Sequence, residues 1–109
     1  MEKYQGLFDE LTRGLVRILG EKIDRIVLFG SFARGTQTEE SDIDIATFVE
    51  PFTEEMHDQM TDLIVDLQLE YDVVLSVVLI DVQNYLGWQN VLPFYRNVKE
   101  EGITLWKAA

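Results

Sequence analysis

Two aspartates one residue apart, Asp42 and Asp44, are the residues of this chain best suited to chemistry. Successive side chains of a strand point to opposite faces. If Ser41-Asp42-Ile43-Asp44-Ile45 is extended, both carboxylates therefore share one face, about 7 Å apart. Ile43 and Ile45 then turn to the opposite, buried side. Carboxylates so placed can reach a pair of divalent cations ~3.5–4 Å apart, which in phosphoryl chemistry stabilise the attacking and leaving oxygens. Shortly before them stands Gly30-Ser31. A glycine lets backbone approach a phosphate closely, the N–H groups of a first helical turn attract anions, and Ser31 adds a hydroxyl. A plain strand-to-helix turn would use the same two residues. Arg34, the one cation between Gly30 and Ile45, is placed either to meet a phosphate or to pair with a neighbouring acid. Ser41 is placed either to orient Asp42 or to cap the turn before it.

The elements that must position these residues are legible from periodicity. Tyr4, Leu7, Phe8, Leu11, Leu15, Ile18 and Leu19 recur at helical spacing, which predicts an amphipathic helix ended near Gly20. Arg25 to Phe29 reads as a short buried strand stopped by Gly30. Ser31 opens a helical turn to about Gly35, and Thr36 to Glu40 is a polar loop. Asp42 to Val49 is the second strand, closed by Pro51. Thr53 with Glu54 and Glu55 starts a second long helix, with acids where the helix dipole favours them. Its apolar stripe is Met56, Met60, Leu63, Ile64 and Leu67. Tyr71 to Ile80 reads as a third strand, and Val82 to Asn90 is ambiguous between helical turns and loop. Pro93 suits a first helical turn, the helix running from Phe94 to Glu101 and stopping at Gly102, with a short edge strand over Ile103 to Trp106. A helical crossover between strands two and three favours parallel pairing of those two, and the short link between strands one and two favours antiparallel pairing. The fold class expected is α/β (α+β), a small mixed sheet with helices mainly on one face.

Composition narrows the function classes. At 109 residues the chain reads as one domain, 1–109. The absence of cysteine excludes disulfides, thiol catalysis and cysteine metal sites. No secretory pattern opens the sequence, and the longest apolar run, Val73 to Ile80, is too short to span a bilayer, so a cytoplasmic location is expected. Nine basic against 20 acidic residues give a net charge of −11. Such a surface repels a polynucleotide, whereas a single nucleotide escorted by Mg²⁺ is acceptable because the metal supplies positive charge. His57 reads as a lone surface residue. Trp88, Trp106, Phe94, Tyr95 and Val98 read as packing or partner-facing side chains rather than chemistry.

Taken together, Gly30-Ser31-Phe32-Ala33-Arg34-Gly35, a short spacer and Ser41-Asp42-Ile43-Asp44 resemble the signature of DNA polymerase β-like nucleotidyltransferases. In a chain this short they resemble the minimal nucleotidyltransferase (MNT) family. The resemblance is specific over Ile26 to Ile45, fair at Asp72, and loose elsewhere. It implies transfer of AMP from ATP to an acceptor hydroxyl, with Mg²⁺ (two ions) as cofactor. Gly30, Ser31, Arg34 and Ser41 are implied on the nucleotide side, and Asp42 and Asp44 on the metal. Similar proteins place a third carboxylate on the strand beside the aspartate pair, where it binds the catalytic metal and can help deprotonate the attacking hydroxyl. Asp72 in Tyr71-Asp72-Val73-Val74 is the best match and Glu70 the runner-up. Members of the family are typically paired with a small helical HEPN protein in a toxin–antitoxin system, the nucleotidyltransferase acting as antitoxin by adding AMP to a tyrosine of its partner. Two other readings stay open: a module that neutralises its partner by binding alone, and a small-molecule (drug-modifying) nucleotidyltransferase.

Overall fold

The computed structural model describes residues 2–109. Its order is helix α1 (Gln5–Leu19), strand β1 (Ile23–Phe29), the short helix α2 (Ser31–Arg34), β2 (Ile43–Val49), α3 (Glu55–Tyr71), β3 (Leu75–Asp81), α4 (Val82–Trp88), α5 (Pro93–Glu101) and β4 (Ile103–Lys107). The four strands form one sheet in the order β3-β2-β1-β4. β1 pairs antiparallel with β2 and β4, while β2 and β3 are parallel across the α3 crossover. This is the mixed sheet that the connection lengths imply.

Alternation along the strands divides the core. On one face, Ile26 and Leu28 of β1, Ile43 and Ile45 of β2 and Leu75 of β3 meet Leu7, Phe8, Leu11 and Leu15 of α1 and Met56, Met60 and Leu67 of α3. The helical stripes read from the sequence are therefore the buried ones. On the other face Val27, Ala46, Phe48 and Ile80 meet Val82 and Tyr85 of α4 and Val98 of α5. The two long helices thus share one face, and the two short ones cover part of the other. Arg25 strengthens that second cluster, its guanidinium lying 4.5 Å from the Phe48 ring centre and 5.3 Å from that of Tyr85.

Most boundaries shift by a residue or two from the sequence reading, β2 for one beginning at Ile43 rather than Asp42, and three differences matter more. Thr53 does not cap α3, which begins at Glu55 without a side-chain cap. The ambiguous stretch from Val82 becomes α4 because Asp81 caps it, accepting from the N–H groups of Gln83 at 2.9 Å and Asn84 at 3.2 Å. The same carboxylate accepts from the Phe52 N–H. That bond and the bond from Asn84 hold Asp81 below the usual carboxylate range. The third difference bears on the site: Tyr71 to Val74 is not strand. α3 runs on to Tyr71, one turn past Leu67, and β3 begins only at Leu75. Among the described residues no helix is long and apolar enough to cross a membrane.

Candidate active site

Asp42 precedes β2 and Asp44 is its second residue, at the end of the sheet where β1 terminates. Asp44 pairs in register with Phe29, the last residue of β1, so the next residue, Gly30, lies against its side chain. Gly30 has φ 74° and ψ −155°, backbone that side-chain-bearing residues avoid. A Cβ there would also collide with the Asp44 carboxylate. The turn and the carboxylate therefore need the same glycine, for conformational freedom and for space.

From Gly30 the chain enters α2. The Gly30 carbonyl accepts from the N–H groups of Ala33 and Arg34, both at 3.1 Å, and Gly35 closes the turn at φ 75°. Ser31 is the first residue of that turn and is half-buried. Of the two roles open to Arg34, the structure shows an ion pair: its Nη1 donates to Glu101 Oε2 of α5 at 3.0 Å. Ser41 caps the turn. Its hydroxyl accepts from the Thr38 N–H at 2.9 Å, and its own N–H returns to the Thr38 carbonyl at 3.1 Å.

The electrostatics of the pair are those of an unbalanced site. Burial pushes the Asp44 carboxyl above its ordinary value, and the nearby Asp42 charge pushes it further. Only Arg34 opposes them. No ion pair among the described residues engages either aspartate.

The carboxylates expected to complete the site do not join it. Asp72 is the cap that ends α3, in the left-handed conformation at φ 52°, rather than the first residues of a strand. An aspartate tolerates that geometry. It lines a cavity of about 250 Å³ together with Tyr4, Phe32, Glu40 and Ser41. Glu70 faces the groove between α1 and α3 with Glu10, Arg13 and Arg17. Desolvation and the neighbouring Glu10 raise its pKa. Tyr71 is tied into the same group by a hydrogen bond to Glu10, which pushes its hydroxyl up to about 12. Among the described residues no three His, Asp or Glu side chains gather closely enough to share a metal ion. The residue in register beside Asp44 on β3 is Ser76, which the sequence reading missed. The signal was available, because the spacing Leu63, Leu67, Tyr71 continues the helix and moves the strand start past Asp72.

Comparison with known proteins agrees with this geometry. Residues 10–105 match the family described as Nucleotidyltransferase domain. Two curated relatives from Methanocaldococcus jannaschii carry the names "Putative protein adenylyltransferase MJ0141" and "Putative protein adenylyltransferase MJ0604". The first is 32% identical over 67% of this chain and 75% of its own length, the second 39% over 78% and 80%. Among solved structures, a toxin–antitoxin complex with AMP-PNP superposes with a TM-score of 0.61 at 27% identity, over 93% of this chain and 73% of that one. An MNT antitoxin in complex with a tri-AMPylated HEPN toxin from Shewanella oneidensis shares the fold, with a TM-score of 0.53 at 24% identity, over 95% and 73%. With the glycine turn, the aspartate pair and the sheet order all in place, the chain belongs to the nucleotidyltransferase domain family and is a nucleotidyltransferase.

Proposed function

We propose that this nucleotidyltransferase moves AMP from ATP to a tyrosine hydroxyl of a protein partner, a HEPN-type toxin, and so acts as the antitoxin of the pair. The observation that carries the reading is the packing of Asp44 against Gly30, which joins a phosphate-sized turn to a carboxylate pair at one end of the sheet. The relatives named for protein adenylylation and the toxin–antitoxin neighbours support the acceptor class.

The donor set fits Mg²⁺. Two neighbouring carboxylates, repelling each other and engaged in no ion pair among the described residues, gain most from a divalent cation. Asp42 and Asp44 would hold it, and when bound it would neutralise the triphosphate and polarise the α-phosphate. Gly30 leaves room for phosphate against the backbone, and Ser31 adds a hydroxyl donor. Arg34 stands at the end of α2, held by Glu101. Ser41, by closing its turn on Thr38, fixes where the chain enters Asp42. In the reaction the acceptor oxygen attacks the α-phosphorus and the bond to the bridging oxygen of the β-phosphate breaks. Pyrophosphate leaves, and the hydroxyl proton is lost to solvent.

The test is label transfer from α-phosphate-labelled ATP with Mg²⁺ in an extract of the host cells. A labelled protein band is expected with the wild type. Asp42→Asn and Asp44→Asn should each weaken it roughly 10²–10³-fold, the loss typical when one preorganised electrostatic group is removed. A labelled small molecule would replace the protein acceptor with a drug-like one. No label, with partner neutralisation surviving in the double variant, would leave a binding module.

A further inference from the structure

Parallel pairing of β2 with β3 sets Ile43 opposite Leu75 and Asp44 opposite Ser76. Paired residues share a face and stand about 4.8 Å apart, so Ser76 is the immediate neighbour of Asp44 on that side. Two residues earlier, level with Asp42, is Val74, whose carbonyl accepts from the Ile43 N–H at 2.9 Å. On the opposite side Asp44 meets Phe29 and Gly30. The positions that flank the pair along the sheet are thus Phe29, Gly30, Val74 and Ser76, none of them charged; among the described residues the one charge that offsets the pair is that of Arg34, from α2.

Mg²⁺ demands near-octahedral oxygen ligands and sheds water reluctantly, so one or two carboxylates hold it well only alongside substrate phosphates. Resting on the nucleotidyl-transfer reading above, we propose that this chain offers its divalent cation only two carboxylates, with the Ser76 hydroxyl occupying the third place on the sheet. The cation therefore enters with the triphosphate and not before it. Ser76 can donate a hydrogen bond to a carboxylate or phosphate oxygen, but it adds no negative charge to the site. Asp72, at the end of α3, and Glu70, in the groove between α1 and α3, stand on other elements and form no three-carboxylate cluster with the pair among the described residues.

Mn²⁺ binding, read by the loss of the free-ion electron paramagnetic resonance signal, tests this directly. The wild type is expected to leave the signal almost unchanged when alone. With AMP-PNP it should lower the signal well beyond AMP-PNP without protein. Ser76→Asp, checked for folding by circular dichroism, is expected to take up Mn²⁺ without nucleotide at least about tenfold more tightly than the wild type, because ligand charge sets affinity. Wild-type protein that binds Mn²⁺ equally well with and without AMP-PNP would overturn the proposal while leaving nucleotidyl transfer intact. A folded Ser76→Asp variant with unchanged Mn²⁺ affinity would overturn it too. If a fluorescent ATP analogue fails to bind either protein with Mn²⁺ present, the transfer reading itself falls, and this inference with it.

Discussion

Asp44 carries the conflict between stability and chemistry at this site. Its carboxylate is partly buried, close to Asp42, and opposed only by Arg34, so its folded-state pKa lies above the ordinary value. For an acid shifted in this direction, the native state is favoured while the group is protonated. That contribution is lost as pH rises through the folded pKa. At neutral pH the ionised pair is therefore destabilising when no metal is bound. Asp44→Asn should stabilise the protein slightly at pH 7 in EDTA, by less than about 1 kcal/mol because solvent screens the half-exposed carboxylate, with the difference from wild type shrinking as pH falls into the carboxylate range. Urea titrations at several pH values would show this, and a less stable variant at neutral pH would contradict it. The same substitution should weaken transfer by the roughly 10²–10³-fold given above, which is the expected trade at a functional site.

At the scale of elements, the turn between β1 and α2 does more than connect. Its glycine has backbone angles closed to other residues, and the space a side chain would need is taken by Asp44. Gly30→Ala should cost about 1–3 kcal/mol from backbone strain alone, and it should move Asp44 off its position. Chemical denaturation together with label transfer would separate these effects. A variant with wild-type transfer would show that Asp44 does not depend on the turn. The end of α3 is equally consequential. Because the helix continues to Tyr71 and is capped at Asp72, β3 starts at Leu75, and it is Ser76 that stands beside Asp44. A helix one turn shorter would have left Asp72 on a strand.

For the molecule as a whole, the excess of acids is the dominant long-range term. A net charge of −11 on 109 residues repels itself in the folded state. Only two ion pairs are found among the described residues, so salt has little attraction to screen there. Raising ionic strength from about 0.01 M to about 0.15 M shortens the screening length from roughly 30 Å to roughly 8 Å. The melting temperature should rise by about 5 °C, the equivalent of roughly 1 kcal/mol for a domain of this size. Differential scanning calorimetry with NaCl would measure it, and a fall in melting temperature would show that attractive pairs outweigh the net repulsion. The same charge matches a basic protein surface better than a polynucleotide.

By itself the sequence determined the local parts of this protein. Helical spacing marked the buried stripes of α1 and α3, and strand alternation set Ile43 and Ile45 into the core with Asp44 on the opposite face. The lengths of the connections implied antiparallel and parallel pairings in the right places. These features follow from the geometry of a single segment, so neighbours in the chain suffice to reveal them. Tertiary structure decided what depends on contacts between distant segments. Arg34 finds Glu101 67 positions along the chain, and the α4–α5 pair closes over part of the second sheet face. The partner of Asp44 on β3 is the clearest case. Register follows from where a strand starts after its crossover helix. The stop of α3 rests on an aspartate in the left-handed conformation, a choice that strand-forming neighbours such as Val73 and Val74 conceal.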